Sequence, residues 1–280
     1  MSVALSLRER EAKLVAKLCL WSLRGYAALS RSERATFYVN RPVAIHLLVA
    51  RISITYCITF LILALACILS AFVAWDSVGW FGFAFLYTSV SFLLLSIAYA
   101  GVGPRLLLKR RFGQRSIWAW LLFGPYFVLN WLAYGVYQLI GREPAFAQVS
   151  PLLFFGRRLS ARECAEHGWV SVLDLAAEFA EVRPLRTLPG YRSLPVLDAT
   201  APSEIELHSA VDWLVDAVSA GPVYIHCAVG HGRSACVVIA YLLSVGEVKT
   251  VKEGVQRLRS IRPSVGLRPG QRKRLRAFQK

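Results

Sequence analysis

The residues best equipped for chemistry lie in the stretch Val223-Tyr224-Ile225-His226-Cys227-Ala228-Val229-Gly230-His231-Gly232-Arg233-Ser234. An apolar run of buried-strand type ends at a cysteine, a short glycine-containing loop follows, and a helix opens at Arg233-Ser234. A loop between a strand end and a helix N-terminus aims several backbone N–H groups at one point, and the helix dipole adds positive potential there. Gly230 and Gly232 let the backbone curl around an anion. Residues 228–233 are therefore expected to cradle a phosphate-like dianion. A thiol in that position, beside an arginine, ionises more readily than a free cysteine. Cys227 is then a nucleophile for phosphorus, and Arg233 offers a planar fork for two phosphoryl oxygens. Ser234 is placed to donate to the thiolate and help it leave when a thiophosphate intermediate breaks down.

Elements on either side must hold this loop. Apolar runs at residues 152–155, 169–175 and 194–197 read as strands, and 222–225 as the strand leading into the loop. Helical spacing marks residues 161–167, 202–220 and 234–245, and two basic helices follow from about 250 to 262 and from 269 onward. Ser203, followed by Glu204 and Glu206, is a start signal for the second of these helices. Strands alternating with helices imply an α/β domain with a parallel sheet over residues 148–280.

From His226-Cys227 through Gly230 to Arg233-Ser234 the sequence resembles the cysteine-based protein tyrosine phosphatases, in the form of the dual-specificity branch. The resemblance covers roughly residues 148–280. It includes Leu194-Pro195-Val196-Leu197-Asp198, which is similar to that family's general-acid loop, and Ile261-Arg262-Pro263-Ser264-Val265, which resembles its closing helical segment. It implies a cysteinyl-phosphate mechanism without a cofactor: Cys227 as nucleophile, Arg233 as phosphate clamp, and Asp198 as acid and then base. His226 would tune the thiolate through hydrogen bonds. Low-molecular-weight phosphatases and arsenate reductases carry Cys-x5-Arg near the start of the domain and fit poorly. An inactive phosphate-binding module and a sulfur transferase are the alternatives of another class. The first usually lacks the cysteine, arginine or acid, and the second leaves Asp198 without a task. Metal binding by His226, Cys227 and His231 is not expected, since the mechanism needs a free sulfur. Asp198 has a plainer reading as a cap for the helix after Pro202, His231 as a solvent-facing residue, and Asp174 and Glu178 as structural hydrogen-bonding residues.

The other half of the chain is of a different kind. Hydrophobic residues make up 56% of the 280, and the excess lies before residue 142. Residues 52–75 and 81–100 are free of charge and long enough to cross a bilayer, which takes about 20 residues. The short link 76–80 carries no positive charge, so the pair reads as a helical hairpin with its tip outside. Residues 117–140 form a third apolar stretch, interrupted by Gly124-Pro125 and positive on both flanks. A re-entrant or in-plane segment is expected there, with a kinked full span as the alternative. Residues 1–51 read as a basic amphipathic segment, either interfacial or an ordinary solvated helix.

The formal net charge of +16 raises the question of nucleic acid. Nine Lys or Arg lie from Arg8 to Arg51 and five more at Arg105, Lys109, Arg110, Arg111 and Arg115, flanking the apolar segments as a positive-inside arrangement requires. A further cluster, Arg268, Arg272, Lys273, Arg274, Arg276 and Lys280, lies at the C-terminal end. No nucleic-acid motif accompanies these charges, and anionic lipid is the expected counter-charge. The six cysteines have neither zinc nor disulfide spacing, which suits a reducing compartment. The expected location is a bacterial inner membrane with the catalytic domain in the cytoplasm. The expected substrate is a phosphorylated protein or a phospholipid.

Overall fold

Three helices precede the sheet in the computed structural model, which describes residues 53–141 and 143–279. Helix α1 spans Ile54–Val78 and α2 spans Phe81–Ile97, extended by one π-turn over Ala98–Val102. A 3-10 turn at Pro104–Leu107 leads through a basic loop to α3, Ile117–Ile140. All three are long and apolar enough to cross a membrane. The first two pack as a hairpin whose open end is closed by a hydrogen bond from Ser53 N to Tyr99 O at 3.0 Å. The basic segment expected over residues 1–51 lies outside the described residues.

Gly124-Pro125 does not interrupt α3, contrary to expectation: the proline removes the bond to Leu121 O, and the helix continues through it to Ile140. The Tyr87 hydroxyl of α2 donates to Trp120 O at 2.9 Å, in the turn just before the proline. Gly124 makes that approach possible, since a Cβ there would sit 2.5 Å from the Tyr87 hydroxyl.

The sheet that follows has the order β1-β2-β5-β3-β4. Its strands are β1 Phe146–Ser150, β2 Leu153–Gly156, β3 Ser171–Ala176, β4 Gly190–Val196 and β5 Val223–His226. Four are parallel. The edge strand β1 is antiparallel to β2, because only two residues join them and a parallel pair needs a long crossover. The expected parallel sheet is present in four strands, with β1 added as an antiparallel edge. Strands β3 and β5 are buried along their whole length, as strands covered on both faces must be.

Helices fill the connections: α4 Ala161–Ala165, α5 Arg183–Arg186, α6 Glu204–Ala220, α7 Arg233–Ser244, α8 Val251–Ile261 and α9 Pro269–Phe278. Ser203 caps α6 in a reciprocal box with Glu206, so Asp198 is not needed as its cap. The core of the domain is apolar, with Leu153, Leu173, Ile225, Leu214, Val237 and Ile239 at its centre. Helix α7 is buried from Arg233 to Leu242, which fixes the loop before it on rigid supports.

Candidate active site

Strand β5 delivers Cys227 to the C-terminal edge of the sheet, where open parallel sheets form their crevices. Four carbonyls around the following loop are tied outward. Cys227 O meets His226 Nδ1 at 3.2 Å, Ala228 O accepts from Arg158 N at 2.9 Å, Val229 O from Arg262 Nη2 at 3.1 Å, and His231 O from Gly266 N at 3.1 Å. In a trans peptide the C=O and the next N–H point opposite ways. The N–H groups of Ala228, Val229, Gly230 and Gly232 consequently turn inward, and Gly230 N donates to Cys227 Sγ at 3.3 Å. Gly230 holds φ +79°, and a Cβ there would lie 2.3 Å from the backbone of Gly156. Gly232, with φ −120°, does not share that requirement, contrary to the expectation that both glycines permit the curl.

Cys227 is buried, and its Sγ is 3.6 Å from the Ser234 hydroxyl. Burial alone would push the thiol up. The Arg233 charge, Ser234 and the Gly230 N–H outweigh it and hold Cys227 below the ordinary thiol range.

Arg233 is 2% exposed and held on several sides. Glu178 takes both terminal nitrogens, at 2.7 and 2.5 Å, Val196 O accepts at 2.9 Å, and Asp198 Oδ1 is 3.1 Å away. Its Nε has no hydrogen-bond partner among the described residues. Glu178, expected to be a structural hydrogen-bonding residue, is thus the orienting partner of the site's arginine. The Asp198 side chain is 60% exposed and sits beside Arg233 at the end of β4. Its neighbour Ala199 holds φ +57°, and its carbonyl accepts from the Tyr99 hydroxyl of α2 at 3.2 Å. The structure brings Cys227, Arg233, Ser234 and Asp198 together.

Behind the loop lies a buried charged layer. His226 Nε2 is 2.6 Å from Glu181, and Lys109 Nζ is 2.5 Å from Asp174, which also accepts from the Tyr191 hydroxyl at 2.7 Å. The two His226 ring nitrogens thus lie beside two oxygens, Cys227 O and the Glu181 carboxylate. Burial would lower His226, but Glu181, with Asp174 beyond it, raises it above the usual histidine value. Burial would likewise raise Asp174, but the Lys109 ammonium, His226 and Tyr191 hold it down. Asp174, Glu181 and His226 lie close enough together to resemble a metal site. The Lys109 ammonium supplies the positive charge on Asp174, so the cluster reads as an ion-pair network.

His231 departs from its solvent-facing expectation. Its Nε2 is 2.7 Å from Glu143, and its ring stands edge-on to Tyr137 of α3 at 6.0 Å. Glu143 also contacts Arg262, at 3.2 Å, and Ser264 N. These supports are not visible in the sequence because they join residues 88 to 121 positions apart. The buried Arg262 was visible only as part of the closing segment.

Residues 172–280 match the family model described as "Dual specificity phosphatase, catalytic domain". Over 81 residues the chain is 38% identical to the phosphatidylglycerophosphate phosphatase PTPMT2 of Arabidopsis thaliana, covering 29% of this chain and 35% of that protein. Over 89 residues it is 35% identical to the phosphatidylglycerophosphatase and protein-tyrosine phosphatase 1 of Rattus norvegicus, covering 31% and 46%. The chain therefore spans less than half the length of these curated relatives. Among solved structures, Tk-PTP in its active form is 25% identical, with a TM-score of 0.45, covering 49% of this chain and 97% of that one.

Proposed function

Residues 172–280 form a dual-specificity catalytic domain of the cysteine-based phosphatase superfamily, and from this premise we propose that the chain hydrolyses a phosphomonoester of a membrane phospholipid through a cysteinyl-phosphate intermediate. One observation carries the reading: the loop around Cys227 turns its N–H groups inward while its carbonyls are fastened outward. Such a cradle suits a phosphoryl group.

The Cys227 thiolate attacks phosphorus, and the bond to the leaving oxygen breaks as Asp198, in its carboxylic acid form, gives that oxygen a proton. Arg233 exchanges its contact with Asp198 for phosphoryl oxygens, and its unpartnered Nε supplies a further donor. Water then attacks the thiophosphate, Asp198 takes the water's proton, and Ser234 donates to the departing sulfur. Because Cys227 is held below the ordinary thiol range, kcat/KM should persist to pH values at which a free thiol is protonated.

The lipid substrate is favoured by two contacts between apolar helices and the site: Tyr99 of α2 with Asp198, and Tyr137 of α3 with His231. The names of the curated relatives point the same way, and one of them includes protein-tyrosine phosphatase activity. A phosphotyrosine substrate is therefore the second reading. We place the domain on the cytoplasmic side of a bacterial inner membrane, supported by exposed Arg105, Arg110 and Arg111 at the base of the hairpin. A reporter fused after Lys280 should be active only on the cytoplasmic side.

The full chain in mixed micelles, with Cys227→Ser as control, tests the activity. Phosphate release from phosphatidylglycerophosphate should exceed release from a phosphotyrosine peptide in kcat/KM. Preference for the peptide would favour the second reading. Release from neither, with vanadate still bound, would favour the non-catalytic module.

A further inference from the structure

Helix α3 is fastened to the catalytic domain on both of its flanks. Before the helix, Glu181 N donates to Gly113 O at 2.9 Å and Arg115 Nη2 donates to Ala177 O at 2.9 Å. Toward its other end, the Tyr134 hydroxyl donates to Arg158 O at 2.5 Å, and the Trp131 ring meets Phe179 at 5.4 Å. Just beyond it, Glu143 pairs with His231 and Arg262. At 1.5 Å per residue the helix is about 36 Å long, and a hydrocarbon core is about 30 Å thick. A full crossing would put Gly113 and Glu143 on opposite sides of that core. One polar domain could not then hold both.

Burial along the helix agrees. Ala119, Phe123, Tyr126, Phe127 and Tyr134 form one buried stripe from the first turn to Tyr134. The opposite stripe is apolar and exposed: Leu121 is 56% exposed, Leu132 62% and Leu139 87%. The buried stripe packs on α1 and α2, which are themselves apolar on their outer surfaces, and the exposed Arg110 and Arg111 precede the helix.

We propose that α3 lies in the plane of the bilayer surface, its exposed stripe sunk among lipid chains and its buried stripe turned to the hairpin and the catalytic domain. The occupant of the stripe is the bilayer that holds the α1–α2 hairpin. Apolar cover is required for Leu121, Leu132 and Leu139, and the neighbouring arginines suit anionic headgroups. In this arrangement the loop around Cys227, with His231 against Tyr137, stands at headgroup level. Substrate would then enter from the membrane surface. The proposal rests on the hairpin being embedded and tilted alongside α3, since Tyr87 far from the base of α2 meets Trp120, and it is independent of which phosphomonoester is cleaved.

The full chain in sealed liposomes of phosphatidylethanolamine and phosphatidylglycerol tests it. An azido amino acid at Leu121, Leu132 or Leu139, coupled to an environment-sensitive dye, reports depth through lipids spin-labelled near the headgroup or deep in the chain. All three positions should be quenched several-fold more by the shallow label, and to similar extents. The same azide at Arg111 and at Lys252 should react with an impermeant dye from one side of the vesicle. Deep quenching at Leu132 with shallow quenching at Leu139, or labelling of Arg111 and Lys252 from opposite sides, would overturn the proposal. Trp118 and Val136 serve as second depth positions if a first-choice variant misfolds. Phosphate release is scored separately, so failure of the topology and failure of the activity are told apart.

Discussion

The core of the catalytic domain and the seam that joins it to the apolar helices are built from different materials. The core is aliphatic, and the sheet strands and helices that enclose it also shape the phosphate loop. The seam is polar and aromatic. Lys109 reaches Asp174, Arg115 reaches Ala177 O and stacks on Phe127, Tyr99 reaches Asp198 O, and Tyr134 reaches Arg158 O. The core shapes the loop, whereas the seam fixes where the loop and Asp198 stand relative to the apolar helices. Apolar packing tolerates sliding, but a buried ion pair does not, so the seam sets a register.

The largest effect separates the two regions by chemistry. Cys227→Ser should lower kcat by roughly 10³-fold or more, and Arg233→Lys by roughly 10²-fold or more because a lysine cannot offer the paired donors. Neither should alter membrane association, which flotation of the variants would check. Lys109→Met strikes the seam. It leaves the Asp174 carboxylate buried without its cation, a loss of about 3–5 kcal/mol, read as a lower denaturant midpoint in detergent. Pairing it with Asp174→Asn should recover much of that loss. An unchanged midpoint in the single variant would mean that the seam is solvated.

Tyr99→Phe is a smaller probe of the same seam. Loss of one hydrogen bond to the acid loop, about 1 kcal/mol, should slow an alkyl phosphate roughly fivefold. An aryl phosphate with a good leaving group, which needs little help from an acid, should be spared. Equal slowing of both would assign Tyr99 to folding only.

The smallest effect is one of pH. The folded-state value of His226 is raised, so its pairing with Glu181 contributes stability that is fully present below about pH 6.5 and is lost as pH rises through that higher value. The stability gap between wild type and Glu181→Gln should therefore narrow with rising pH. A gap constant with pH would show that His226 is not the group responsible.

The strand, loop and helix around Cys227 were legible because each is set by a continuous stretch of chain. Alternation of strands and helices likewise announced the α/β domain, and the charge-free runs announced the hairpin. The antiparallel edge at β1 was not legible, because residues 146–150 carry no signal of direction. Gly124-Pro125 signals a break in sequence, yet α3 continues through it beside Tyr87 of α2, whose hydroxyl donates to Trp120 O, 33 residues along the chain. The basic loop at residues 105–115 was read as one charged flank. Lys109 and Arg115 instead turn into the catalytic domain, leaving Arg105, Arg110 and Arg111 exposed.

By itself, the sequence determined that a Cys-x5-Arg loop sits between a buried strand and a helix, and that an apolar half precedes it. Both follow from side-chain pattern over short distances. Only the tertiary structure decided that Glu178 orients Arg233, that Tyr99 steadies the Asp198 loop, and that the catalytic domain grips both flanks of α3. Those choices depend on which buried charges and hydroxyls find partners 24 or more residues away. The cost of leaving such groups unpaired is what selects one arrangement.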